Sequence, residues 1–171
     1  MHYSRQEVLV TTTRKRGLAV LSALTIALLG IAAATPATAT QVGDPTLTGI
    51  RTGLNTGFDR VVLDMTGAQP GVSYRNVDEL IADPSGEIEW LTGEFFVSVT
   101  ATPARAHDDA GNPTYTGPQK FRTRNLRNVM AVAVTGDFEG YLAIGLGIRY
   151  QSWIRVFTLG SPTRVVIDIG N

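Results

Sequence analysis

The chain is written in short stretches that alternate apolar and polar residues, each closed by glycine, proline, asparagine or aspartate. That rhythm leaves room for little but an all-β fold. Successive strand side chains point to opposite faces, so period-two alternation marks a half-buried strand, whereas a helix needs apolar residues three and four apart. Residues 58–66 set Val61, Leu63 and Met65 against Arg60, Val62 and Asp64. Residues 95–100 set Phe95, Val97 and Val99 against Phe96, Ser98 and Thr100. Residues 141–148 set Leu142, Ile144, Leu146 and Ile148 against Ala143, Gly145 and Gly147, and 153–159 set Ile154 and Val156 against Trp153, Arg155 and Phe157. Residues 129–134 are apolar on both faces, as in a central strand, and 47–51, 72–77 and 87–91 are weaker strand candidates. Turn sequences separate them: LNTG before Phe58, GAQPG at 67–71, DPSG at 83–86, GDFEG at 136–140 and GSPT at 160–163. Only 76–82, with Asn76 as N-cap, reads as helical, and it gives barely two turns. The pattern predicts an antiparallel two-sheet β-sandwich of about eight or nine strands.

One pentad occurs twice, as RVVLD at Arg60–Asp64 and as RVVID at Arg164–Asp168. Within each, the Arg, the middle Val and the Asp share one strand face. If the two strands pair antiparallel with Val62 opposite Val166, Arg60 faces Asp168 and Asp64 faces Arg164. Each opposite-charge pair then contributes roughly 0.2–1 kcal/mol, whereas parallel pairing would set like charges together. The expectation is that the first long strand and the last close one sheet. The alternative is an internal duplication without pairing.

The first 39 residues read as a secretory signal peptide. Arg14, Lys15 and Arg16 precede the apolar run 17–34, and TPATAT places Ala37 and Ala39 at the small-x-small cleavage pattern. Retention as a membrane anchor is the alternative. Residues 40–46 read as a linker, and 47–171 as one domain without a second apolar span. The absence of cysteine leaves the core as the source of stability and removes the usual site of a lipid anchor. The leader holds four of the 15 basic residues (Arg5, Arg14, Lys15, Arg16) and one of the 15 acidic ones (Glu7), so 11 basic and 14 acidic residues remain. A mildly acidic domain argues against nucleic acid as a partner.

Groups suited to catalysis are sparse. His107 is the only histidine after the leader, too few for a zinc site, and there is no thiol nucleophile. No serine lies in a G-x-S-x-G or S-x-x-K context. A carboxylate pair of the glycosidase kind stays open, but nothing singles out two residues. No metal or cofactor is expected. The segment HDDAGN reads as a turn held by Asx hydrogen bonds, and Gly145 and Gly147 as points where another chain or a ligand approaches the sheet closely. The irregular stretch 101–121 is long enough to suggest a functional loop. The candidate ligand-binding residues are therefore His107, Asp108, Asp109 and Tyr115 on that loop. Arg149, Trp153 and Arg155 join them, as aromatic and guanidinium groups suited to sugar rings and carboxylates.

Several segments together resemble a known family. FDRVVLD at 58–64, PARAHDDAGNPTY at 103–115, GDFEG at 136–140, GLGI at 145–148 and RVFTLGSPTRVVID at 155–168 are similar to the AMIN-like domains of secreted actinobacterial proteins. These are relatives of the AMIN domain that accompanies cell-wall amidases and outer-membrane secretins. The likeness runs from Leu47 to Asn171 and implies a β-sandwich in the cell envelope or outside the cell. With no amidase domain in the sequence, it implies binding without catalysis, to peptidoglycan or another cell-wall component. A module docking on an envelope protein is the other expectation.

Overall fold

A computed structural model describes residues 43–171. The expected signal peptide at 1–39 and the start of the expected linker lie outside the described residues. Nine strands follow in order: β1 (Thr46–Asn55), β2 (Phe58–Thr66), β3 (Gly71–Val77), β4 (Phe95–Thr102), β5 (Lys120–Arg122), β6 (Val129–Phe138), β7 (Tyr141–Ile148), β8 (Ile154–Leu159) and β9 (Arg164–Gly170). They form two antiparallel sheets, ordered β1-β2-β9-β8 and β3-β4-β7-β6-β5. The fold is the all-β sandwich that the alternation predicts.

The inward positions are the aliphatic ones of the period-two pattern. Val61, Leu63, Val165, Ile167 and Ile169 from the first sheet meet Val97, Val99, Leu142, Ile144, Leu146 and Ile148 from the second, all at most 1% exposed. Each such side chain contributes roughly 1.5–3 kcal/mol, which offsets ordering entropy in a chain without disulfides. Turn chemistry sets the hairpins. Glu139 and Gly140 adopt φ of 49° and 78° between the partners Phe138 and Tyr141, the left-handed pair that matches strand twist in a two-residue hairpin. The strand expected over 129–134 therefore runs on to Phe138, and the GDFEG turn shrinks to its last two residues.

Residues 78–94 differ most from the expectation. No helix forms over 76–82: Asn76 and Val77 finish β3, and the chain then straps across the outer face of the second sheet. The strap is anchored by Asp83 N donating to Thr135 O (2.7 Å) and Glu94 N donating to Ile148 O (2.8 Å). Leu80 is buried, and a Cβ on Gly145 would stand 2.7 Å from its Cδ1. The Thr92–Gly93 backbone lies directly on Gly147, where a Cβ would collide with the Thr92 carbonyl. The close approach read from these two glycines is thus made by the chain's own strap. A two-turn helix has little intrinsic stability, and burying Leu80 against a glycine-paved sheet requires an extended path instead. The weak strand expected over 87–91 reduces to one bridge, Ile88 to Ile81. The strap also explains why β6 is buried on both faces although it is not the middle strand.

The two ends of the sandwich are closed differently. At the end where β2 begins and β9 stops, buried Asp59 accepts from Asn128 N (2.6 Å), Val129 N (2.8 Å) and Asn171 Nδ2 (2.7 Å). Buried Asn128 donates through Nδ2 to Gly170 O (2.8 Å) and Tyr150 O (3.1 Å), and its Oδ1 accepts from Arg149 N and Tyr150 N. This network fastens one sheet to the other. At the opposite end the irregular 103–119 segment covers the start of β1, with Leu47 N donating to Arg105 O and Arg105 N to Pro45 O. The end of the expected linker is thereby bonded into the domain.

Candidate functional site

The pentads define the outer face of the four-stranded sheet. β2 and β9 pair with Val62 opposite Val166, Arg60 opposite Asp168 and Asp64 opposite Arg164. Arg60 donates from Nε to Asp168 Oδ1 (2.6 Å) and from Nη2 to Oδ2 (2.9 Å). On the other flank β8 places Arg155 opposite Asp168, and its Nη2 donates to Oδ2 (2.7 Å). Asp168 is 0% exposed. Burial pushes its carboxyl upward, but the hydrogen bonds from Arg60 and Arg155 outweigh that and hold it below the usual carboxylate range. It stays ionised at neutral pH and serves as an anchor for two guanidiniums.

Asp64 takes a different partner from the one its register suggests. Arg51 on β1 grips it with two bonds, Nε to Oδ2 (2.5 Å) and Nη2 to Oδ1 (2.6 Å), while Arg164 turns its Nε to Pro162 O. Gly49 makes room, since a Cβ there would meet Asp64 Oδ2 at 3.3 Å. The charges are thus shared among four strands, and only the Arg60–Asp168 pair of the two is in contact.

Aromatic groups frame the Arg60–Asp168–Arg155 row. Gly170, opposite Phe58, has no side chain, and the Ser152 hydroxyl and the Trp153 indole share that space, the indole Nε1 2.6 Å from where a Cβ would stand. The Phe58 and Trp153 rings lie 6.1 Å apart at 52°. The Arg60 guanidinium sits 5.1 Å from the Phe58 centroid, and that of Arg155 5.1 Å from Phe157. Arg60 is committed through Nε and Nη2, whereas Arg155 spends one N–H on Asp168 and its side chain is 60% exposed. Most of its donor fork faces solvent beside a half-exposed Trp153. Phe58 and Arg60 belong to this face although the candidate set omitted them as contact residues. Their alternation with Val61 and Leu63 carried the signal.

The other sequence candidates lie elsewhere. Arg149 is exposed just beyond β7 at the Asp59–Asn128 end, with Nε donating to Arg127 O (3.2 Å). His107, Asp108, Asp109 and Tyr115 occupy the opposite end of the sandwich. His107 Nδ1 is 2.7 Å from Asp137 Oδ2. Asp108 Oδ1 accepts from Ala110 N (2.9 Å) and Asn112 N (2.8 Å), the Asx turn expected of HDDAGN. The bonds from the Asn112 side chain and these backbone amides hold its carboxyl below the usual range. Asp109 pairs with Arg105 at 2.7 Å. Tyr115 is a core residue, 6% exposed, donating to Pro118 O (3.0 Å), and burial pushes its hydroxyl pKa up. The long loop is therefore largely a lid on its own core. No three His, Asp or Glu side chains converge as a metal site among the described residues.

Two facing sheets, with one outer face carrying a braced arginine between aromatic rings, describe a β-sandwich domain. The AMIN-like domain family model matches residues 45–171, and the chain belongs to that family. Membership points to an extracytoplasmic, cell-wall-associated binding module. Comparison with curated proteins and with solved structures gives no match.

Proposed function

We propose that the protein is a secreted, non-catalytic cell-envelope module that binds peptidoglycan through the outer face of β2, β9 and β8. The half-committed guanidinium of Arg155, braced by buried Asp168 and placed beside Trp153, carries this reading. Peptidoglycan joins sugar rings to carboxylate-bearing peptides. An indole ledge suits the ring, and an arginine fork with free donors suits the carboxylate. Asp168 holds that fork in place, which lowers the ordering entropy lost on binding. Export after loss of residues 1–39 belongs to the same proposal.

The test is retention on protein-free sacculi. Trp153→Ala and Arg155→Ala should each weaken retention at least about tenfold, the loss expected of a contact contributing ~1.4 kcal/mol or more. Retention of both variants at the parent level would refute the site. A second reading, docking on an envelope protein, is favoured by an exposed apolar ridge on the strap, where Ile81, Ile88 and Trp90 are 49%, 39% and 78% exposed. Retention by crude envelopes but not by protein-free sacculi would select it.

A further inference from the structure

Between the strap and the outer face of the second sheet lies a groove of about 300 Å³, on a different sheet from the proposed wall-contact face. Its lining is unusual in charge. Arg75 on β3 forms part of the wall, and Glu79 and Asp83 on the strap contribute carboxylates to the same cavity. Among the described residues none of the three makes an ion pair, although opposite charges share one small space. Thr100 and Thr135 add hydroxyls, and Tyr141 adds a phenol to the lining.

The groove is built into the fold. Arg75 stands opposite Ser98 in the β3–β4 ladder, which aims it onto the sheet's outer face. Asp83 is held by its backbone bond to Thr135 O and its bridge to Gly136, where even a methyl group would come within 3.0 Å of Asp83 Cβ. Small residues, Ala143 among them, keep the floor low. The strap that buries Leu80 thus holds the Asp83 backbone and Cβ over the sheet face that carries Arg75. A backbone held this way loses little freedom when a ligand arrives.

We infer that this groove binds a small zwitterion, a peptide end or amino acid whose carboxylate meets Arg75 and whose ammonium meets Glu79 and Asp83. Its volume lies at the lower limit of small-molecule pockets (roughly 300–1,000 Å³), which suits a dipeptide better than a glycan strand. The inference goes beyond wall attachment and does not depend on it, because no residue is shared between the two sites.

The test is an amide-resolved NMR titration of the full chain with alanyl-alanine, its N-acetyl form and its C-terminal amide. The free dipeptide should produce saturable shifts confined to residues 75–83, 98–100 and 135–143. Blocking either end should raise Kd at least tenfold. Arg75→Ala should abolish discrimination against the amide, and Glu79→Gln with Asp83→Asn should abolish discrimination against the acetylated form, both with an unchanged melting temperature. Trp153→Ala should leave the titration untouched, which separates this site from the wall-contact face. Absence of saturable shifts at about 10 mM peptide, ten times a weak millimolar Kd, would overturn the inference. So would equal binding of the blocked peptides, or shifts that map to the other sheet.

Discussion

Arg60 and Asp168, separated by 108 positions, meet through two parallel hydrogen bonds of 2.6 and 2.9 Å across the β2–β9 ladder. The carboxylate is fully buried while both of its arginines keep contact with water. This asymmetry lets a buried charge persist, because each guanidinium remains partly hydrated as the pair forms.

Asp168→Asn should therefore destabilise the domain. Arg60 and Arg155 can turn toward solvent once released, so the loss should be nearer about 2 kcal/mol than the ~3–5 kcal/mol of a wholly buried pair. Urea denaturation measures it. A double-mutant cycle with Arg60→Ala should return a coupling of about 1 kcal/mol or more, as residues in one salt-bridge network do. Strict additivity would mean that the two side chains do not act together.

Acid should act through the same carboxylates. The folded pKa values of Asp64, bonded by Arg51, and of Asp168 lie below their ordinary values. On acidification the unfolded chain takes up these protons first, so the stabilisation is full above the ordinary carboxylate pKa of about 3.9 and fades as pH falls through the lowered values. Urea midpoints between pH 7 and pH 3 should drop mainly below about pH 4. The drop should be shallower in Asp168→Asn, and an equal drop in that variant would count against the linkage.

Asn128→Ala removes an amide that serves four backbone groups across both sheets. Each buried group left without a partner costs roughly 1–3 kcal/mol, partly relieved by entering water. A net loss of about 2–4 kcal/mol is expected, with faster exchange of the Tyr150 amide that donates to Asn128 Oδ1. A surface-like change within ~0.5 kcal/mol would show that the network is not a fastening.

Gly147→Ala should dislodge the strap, since the added methyl occupies the place of the Thr92 carbonyl. Limited proteolysis should open 80–92 while the sandwich core keeps its far-ultraviolet spectrum. A protected strap would show that the backbone there yields easily.

His107→Ala with Asp108→Ala tests the role of the long loop. Asp108 forms the Asx turn, and His107 contacts Asp137 at a partly exposed site. The pair should lower the melting temperature slightly, by about 1 kcal/mol of stability for the lost turn bonds, and should leave sacculus retention unchanged. Loss of retention at full stability would move the site to the loop.

The sequence alone determined most of the strands and turns and favoured the pairing of the two pentads, because these obey local or self-announcing rules. Side-chain alternation is set by strand geometry, Gly140 is set by the left-handed turn, and complementary charges at matching positions declare an antiparallel register. It also held the aromatic and arginine alternation of Trp153, Arg155 and Phe157. Only the tertiary structure decided which partner each charge took. Asp64 went to Arg51 because β1 lies beside β2 and Gly49 leaves space there, and Asp168 gained Arg155 because β8 completes the sheet. Tyr115 passed from a candidate contact to the core, the NVDELIA segment from a helix to a strap, and β5 emerged as a three-residue edge strand beside β6. In each case the outcome depends on which surfaces distant segments present for burial, and no local pattern of side chains encodes that.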